Sequence, residues 1–354
     1  MKKLRVGIIY GGRSAEHEVS ILSACNVIKA LDTKKYVPVL MRITKQGGWY
    51  LEDKGSLLLA HTKSKNALMI TPGSKKTTLV PSDGVGHGPQ VDVVFPVLHG
   101  PYGEDGTVQG LLKLLNVPFV GSSVLGSAVA MDKEVAKRLM ASVGIDIAEY
   151  IVMNAHTKVS YEKVVRKLGK IVFVKPANLG SSVGVSKVRN KKEYDNAIKD
   201  AFRFDTKILV EEYIQGRELE CGVLGNDDPK CSLVGEIIPH DEFYSYDAKY
   251  IDENGAELVI PAKLSPLLQK KIQSLALRAF KVACCEGMAR VDFFMSKKRI
   301  VVNEVNTIPG FTDISMYPLL WKASGVSYSK LVTQLITLAI ERFNNEKVLL
   351  TSRT

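Results

Sequence analysis

Apolar positions in this chain switch between strand-like runs and helical spacing, and the switches mark its elements. Residues 4 to 10 form a nearly continuous apolar run stopped by Gly11 and Gly12, which predicts a buried strand and a turn. From Glu18 to Leu31 apolar residues recur at helical spacing, so the chain opens as β-turn-α. Strands are expected over 37–43 and 91–98, the second delivering His99-Gly-Pro-Tyr-Gly-Glu-Asp-Gly106 before a helix over 107–115. The stretch from Gly47 to Gly88 reads as short strands joined by variable loops and carries no chemistry. Residues 117–130 read as a short strand and a small-residue loop, with a domain boundary near Val120 to Ser127. Met131-Asp132-Lys133 opens a helix to about Val143. Further strands are expected at 171–174, 185–188 and 208–214, and helices at 191–202, 266–284 and 327–343. In the last helix Leu331, Leu335, Leu338 and Ala339 form an apolar face, as in a helix covering a core.

Near the end, two strand-like segments, Arg290-Val-Asp-Phe-Phe-Met295 and Ile300-Val-Val-Asn-Glu-Val-Asn306, flank a short polar turn and predict a hairpin. Alternation puts Arg290, Asp292 and Phe294 on one face, and Ile300, Val302, Glu304 and Asn306 on one face of the partner. With the turn centred on Lys297 and Lys298, Asp292 lies opposite Glu304 and Arg290 opposite Asn306. Two carboxylates and an amide oxygen, with no His or Cys, suit a hard cation such as Mg²⁺. The same residues could instead form a polar hairpin face in water, with opposed like charges merely tolerated.

With 354 residues, two or three domains are expected, and 45% hydrophobic content is ample for their cores. Five cysteines without a CxxC pair suggest neither a zinc ribbon nor a disulfide framework, and fit a reducing cytosol. Arg5 and the glycines interrupt the first apolar run, so it suits a strand better than a signal peptide, and no run approaches membrane-spanning length. The net charge of +11 comes from scattered lysines with no nucleic-acid-binding motif beside them. It fits a solvated basic surface around a polyphosphate site.

Three further places carry candidate chemistry. Lys175-Pro-Ala-Asn-Leu-Gly-Ser181-Ser182-Val-Gly184 can cradle phosphate with N–H groups and hydroxyls, although it lacks both P-loop and GxGxxG spacing. Next, Ile208-Leu-Val-Glu211-Glu212-Tyr-Ile214 and Glu218 suit an adenine slot, strand backbone reading the purine and a carboxylate meeting the ribose. Polar, turn-rich residues 239–255 read as a lid with Lys249 and Tyr250 at its apex. Beside turn glycines that let backbone approach a ligand, Glu16 sits near a helix N-terminus, where a carboxylate is electrostatically comfortable, and could be simply a helix-start residue; His99 either lines a substrate site or is a satisfied turn histidine.

Gly-Gly-x-Ser-Ala-Glu, HGPYGEDG, MDK, KPANLGSSVG, LVEEYIQGRE, FYSYDAKY, RVDFF and NEVNTIPGFT occur in this order. Together they resemble the D-alanine:D-alanine ligase family, ATP-grasp enzymes of peptidoglycan precursor synthesis, over nearly the whole chain. The loop-rich 47–88 stretch resembles the longer subgroup of that family. His17 and Asp313 depart slightly from the pattern and bear on substrate fine-tuning more than on reaction type. The resemblance implies a composite α/β and α+β chain with the ATP-grasp fold. An open parallel α/β substrate domain (1–123) would precede two α+β subdomains clasping ATP, one with the phosphate loop (124–215) and one with the lid and metal site (216–354).

The resemblance also implies roles. Lys133, Lys175, Ser182 and Lys249 would meet the nucleotide, Glu211, Glu212 and Ile214 would edge the adenine, and Glu218 would take the ribose. Asp292, Glu304 and Asn306 would bind two Mg²⁺ (or Mn²⁺) ions with ATP. Glu16 would hold the ammonium of the first D-alanine, with Ser181 and Tyr250 in its network and His99 nearby. Arg290 and the Gly310 N–H would stabilise the oxyanion, and Ser315 with Met316 would bind the second carboxylate. The implied partners are ATP and two D-alanines, without nucleic acid or membrane, in a cytoplasmic homodimer. A D-alanyl-D-lactate ligase or a non-catalytic ATP-binding protein of this fold are the alternatives. Tyr250 argues against the first, and retention of Glu16, Arg290 and the metal ligands against the second.

Overall fold

The computed structural model describes residues 2–52, 67–70, 79–81, 90–240, 255–297 and 299–350. The first apolar run forms β1 (Leu4–Gly11), which pairs parallel with β2 (Tyr36–Ile43) and with the later β6 (Val93–Val97). α1 (His17–Ala30) crosses between β1 and β2, and β3 (Trp49–Glu52) adds an antiparallel edge, giving the order β3-β2-β1-β6. β4 (Leu68–Ile70) and β5 (Leu79–Pro81) pair separately. The open, mainly parallel sheet is thus present with one antiparallel edge strand. α2 (Thr107–Leu114) follows β6.

Where a small-residue loop was expected, Val124–Met131 forms a helix, α3, running into α4 (Lys133–Ser142). Small side chains let α3 pack closely: a Cβ on Gly126 would lie 2.3 Å from the Cys284 carbonyl oxygen. The middle sheet is β7 (Tyr150–Asn154), β8 (Val172–Pro176), β9 (Ser186–Val188) and β10 (Lys207–Glu212), in the antiparallel order β7-β10-β8-β9. α5 (Tyr161–Leu168) and α6 (Lys191–Ala201) supply its core through Val164, Leu168, Tyr194 and Ile198.

The largest sheet contains β11 (Arg217–Gly225), β12 (Lys230–Pro239), β13 (Ala256–Val259), β14 (Gly287–Met295) and β15 (Ile300–Asn306), in the antiparallel order β13-β12-β11-β14-β15. α7 (Pro266–Val282) covers it, capped by Ser265 with Pro266 at its first turn. α8 (Met316–Ala323) and α9 (Tyr328–Lys347) are the last elements of the described residues.

Packing crosses two of the expected divisions. Ala130 of α3, and Ala136 and Met140 of α4, share a core with Leu219, Ile272 and Phe293, so α3 and α4 pack on the largest sheet, while Asp132 and Lys137 also reach Lys207 and Glu211 of the middle one. Leu331, Leu335, Ile336 and Ala339 of α9 bury against Val6, Ile8 and Phe95, so the chain's last helix covers its first sheet. Leu338 is only partly buried at the margin of that core. Among the described residues no helix is long and apolar enough to cross a membrane.

Candidate active site

The hairpin β14–β15 has the expected register, Asp292 opposite Glu304 and Arg290 opposite Asn306. One expectation fails. A bulge makes Phe293 pair with Val302, leaving Asn303 as an extra residue, so Ile300 and Val302 do not share the face of Glu304. Val302 is fully buried beside Val291 and Phe293, with Ile300 partly buried against the same core, while Asn303 and Glu304 both line a cavity. Arg290 donates from Nε and Nη2 to the two oxygens of Asp292, both at 2.7 Å, and its Nε lies 2.8 Å from Glu220 of β11. Burial opposes the guanidinium charge, but Asp292 and Glu220 hold its pKa above the ordinary value. Asn306 donates from Nδ2 to Asp292 at 2.9 Å.

A second cluster grows from β8 and α4. Asp132 caps α4 by accepting from the N–H groups of Glu134 and Val135 at 3.1 Å, and Lys207 grips the same carboxylate at 2.6 to 2.8 Å. The Lys133 N–H donates to the Ala177 carbonyl at 3.0 Å, its Nζ reaches the Leu179 carbonyl, and it lies 3.8 Å from Glu304. Lys175, at the end of β8, lies 2.7 Å from one oxygen of Glu211, and Lys137, one turn beyond Lys133, lies 3.2 Å from the other. Burial pushes the ammoniums of Lys133 and Lys137 below their ordinary pKa. Burial likewise opposes ionisation of Glu211, but Lys137 and Lys175 outweigh it and hold its carboxyl below the usual value.

Beyond β8 the loop turns through Ser181 and Ser182 at φ of 52° and 59°, a left-handed region that side chains enter at a cost of about 1–3 kcal/mol each. That turn lets the Ser181 hydroxyl donate to Glu16. Glycine is required on the opposite side: a Cβ on Gly100, at φ of 75°, would sit 2.8 Å from Glu16 Oε2.

These clusters wall two adjoining cavities. The larger, about 400 Å³, is lined by every expected nucleotide residue of the described chain: Lys133, Lys175, Ser182, Glu211, Glu212, Ile214 and Glu218. The side chains of two of them are committed elsewhere. Glu211 faces the two lysines, and Glu212 accepts from Arg299 at 2.5 Å and from the Glu149 N–H at 2.8 Å, which leaves the β10 backbone to meet a purine. The smaller cavity, about 160 Å³, brings together Glu16, His99, Ser181, Arg290, Gly310, Ser315 and Met316, all expected around an amino acid. Ser181 and Glu304 belong to both linings, so the cavities meet there. Lys249 and Tyr250 fall outside the described residues.

Within the smaller cavity His99 acts through its neighbours. Nδ1 donates to the Ile308 carbonyl at 3.0 Å and Nε2 accepts from Ser23 at 3.1 Å, while burial lowers its pKa, so the ring is a neutral strut. Ser315 stands at the N-terminus of α8, whose positive end suits a carboxylate. A Cβ on Gly310 would lie 2.6 Å from the Ser315 hydroxyl, so glycine is needed for that approach.

Glu104, Lys137 and Glu220 are new members of the site. Glu104 accepts from the Gly100 N–H at 2.8 Å and the Ile308 N–H at 3.1 Å, and burial, with Glu16 adding to it, pushes its carboxyl up to about 8. Its place in HGPYGEDG, the spacing of Lys137 four after Lys133, and the alternation of Glu220 with Glu218 were the available signals. Asp292, Glu304 and Asn306 offer only hard oxygen donors on neighbouring positions of two paired strands, beside the cavity shared with Lys133 and Lys175. That donor set fits a divalent cation of the Mg²⁺ type.

Comparison with known proteins covers most of the chain in two family matches. The family models "D-ala D-ala ligase N-terminus" and "D-ala D-ala ligase C-terminus" match residues 5–122 and 139–337. The D-alanine--D-alanine ligase of Oceanobacillus iheyensis is 50% identical over 365 residues, covering 100% of both chains. D-alanine--D-alanine ligase A of Escherichia coli K12 is 49% identical, covering 99% of this chain and 100% of its own. Among solved structures, the D-alanine-D-alanine ligase from Coxiella burnetii superposes with a TM-score of 0.88 at 40% identity, covering 98% of this chain and 97% of its own. The VanG D-Ala:D-Ser ligase from Enterococcus faecalis gives 0.86 at 36% identity, covering 96% and 100%.

Proposed function

The chain belongs to the D-alanine–D-alanine ligase family and is an ATP-dependent ligase joining two D-alanines for peptidoglycan precursor synthesis, and from that premise we propose which of its residues do so. The fold is ATP-grasp and the family uses a divalent metal. The supporting observation is the wall shared by the two cavities, where Ser181 and Glu304 stand between nucleotide and amino acid.

In this reading Lys133, Lys175 and Ser182 hold the phosphates, the β10 backbone through Ile214 holds adenine, and Glu218 holds ribose. Asp292, Glu304 and Asn306 would hold a divalent cation, taken as Mg²⁺ or Mn²⁺ with two ions per ATP, which would supply positive charge beside those phosphates. Glu16, hydrogen-bonded to Ser181, holds the ammonium of the first D-alanine and leaves its carboxylate free to face the shared wall. Transfer of the γ-phosphoryl to that carboxylate gives an acyl phosphate and ADP. The second D-alanine, its carboxylate at Ser315 and Met316, attacks the acyl carbon with its deprotonated amine. Arg290 and the Gly310 N–H offset the developing oxyanion until phosphate leaves. Lys249 and Tyr250 are assigned to closing the site against water, which would hydrolyse the acyl phosphate.

ADP release measured in parallel with D-alanine, L-alanine, D-serine and D-lactate tests the assignment. D-alanine alone should support rapid turnover to the dipeptide. Preference for D-serine or D-lactate as second substrate would overturn the choice of nucleophile, and ATP binding without turnover would favour a binding protein. We further assign three units at 1–123, 124–215 and 216–354, a homodimer, and a place in the cytoplasm, where ATP is supplied. Sedimentation velocity tests the dimer.

A further inference from the structure

Lys137 is fully buried and lines neither cavity, yet its ammonium lies 3.2 Å from Glu211. The approach is an ion pair and not an aligned hydrogen bond. The other Glu211 oxygen holds Lys175 at 2.7 Å, and that lysine does line the larger cavity. One buried carboxylate therefore sits between a cation that can meet a nucleotide and one that cannot. If the phosphates draw Lys175 away, Glu211 is left inside the protein with only Lys137 to balance it. A buried carboxylate stripped of its partners is strongly unfavourable. The cost of recruiting Lys175 therefore depends on Lys137.

Lys137 cannot follow Lys175. It sits one helical turn from Lys133, whose N–H is fastened to the Ala177 carbonyl, and α4 is capped by Asp132 and pinned by Lys207. We propose that Lys137 is the standing countercharge of Glu211, a positioning residue that frees Lys175 to bind the phosphates of the nucleotide. This rests on the larger cavity being the nucleotide site. The effect belongs to phosphate and not to adenosine, because Lys137 lines neither cavity and reaches the nucleotide pocket only through the Glu211 carboxylate, whose other oxygen holds Lys175, whereas the base is given to the β10 backbone.

Calorimetric binding of ATP and of adenosine to the full chain, with wild type, Lys137→Met and Lys137→Met/Glu211→Gln, tests the proposal. Lys137→Met should weaken ATP about tenfold or more, the scale of one lost charge-assisted contact, and leave adenosine affinity and the D-alanine KM within about twofold. Adding Glu211→Gln removes the carboxylate that retains Lys175 and should recover most of the ATP affinity. Unchanged ATP binding in Lys137→Met, equal loss of ATP and adenosine, or a double variant no better than the single would each overturn it. If the single variant does not fold, the double decides: ATP binding within about threefold of wild type supports the countercharge, and a lost fold or lost binding overturns it. Failure of wild type to bind ATP would instead remove the nucleotide-site reading beneath it.

Discussion

Replacing Arg290 by methionine should separate what this residue does for stability from what it does for rate. Its guanidinium is bidentate to Asp292 at 2.7 Å and lies 2.8 Å from Glu220, and those two carboxylates face each other across β11 and β14. The three side chains are 19%, 14% and 8% exposed. Removing the cation strands two carboxylates, and breaking a buried pair in this way costs roughly 3–5 kcal/mol. Because Arg290 keeps a fifth of its side chain in the cavity, about 3 kcal/mol is expected. Loss of a donor aimed at a developing oxyanion should separately slow turnover about 10²- to 10³-fold. Glu220→Gln in the same chain relieves one stranded charge and should return at least ~1 kcal/mol of stability without returning the rate. The assay is urea unfolding followed through buried Trp321, beside ADP release at saturating ATP and D-alanine. Turnover within about threefold of wild type in Arg290→Met would refute the oxyanion role. A double variant that regained rate together with stability would reduce Arg290 to a structural ion pair.

Asp292→Asn and Glu304→Gln should each remove most turnover and raise the divalent-cation concentration required, and Asp292→Asn, which also breaks the pair with Arg290, should lower the unfolding midpoint more than Glu304→Gln; normal metal dependence in both would contradict the assignment. Glu16→Gln should raise the D-alanine KM about ten- to hundredfold and leave the ATP KM nearly unchanged, since a charge-assisted hydrogen bond contributes about 1.5–3 kcal/mol. Equal effects on both substrates would make Glu16 structural. Glu104 carries a pH signature: between its ordinary value of 4.5 and about 8 the folded chain keeps a proton that the unfolded chain has lost. Its contribution is full below that window and lost as pH rises through it. The urea midpoint of Glu104→Gln minus that of wild type should therefore grow from about pH 5 to about pH 9, and a constant difference would show that Glu104 does not titrate there.

The sequence by itself determined what is local. Alternation over a short turn put Asp292 and Glu304 on adjacent strands, but the pairing of Met295 with Ile300 continued regularly would set Asp292 opposite Asn303, and the bulge is what brings Glu304 opposite it. Helical spacing likewise located α1, α7 and α9, and the order of motifs carried the family. What it could not contain was the meeting of distant segments. The bulge at Asn303 turns on how β15 must pack Val302 into the core while presenting Glu304 to a cavity, and one inserted residue reverses the faces. The burial of Lys137 against Glu211 exists only because α4 lies across the strand carrying that glutamate. Glu104 becomes a site residue because its carboxyl reaches the N–H of Ile308, 204 residues away in the chain. Periodicity reports which face of an element is apolar, but the partner of that face is chosen by the packing of the whole chain. For that reason only the tertiary structure decided that α9 closes the first sheet, and that an internal lysine stands behind the nucleotide cavity.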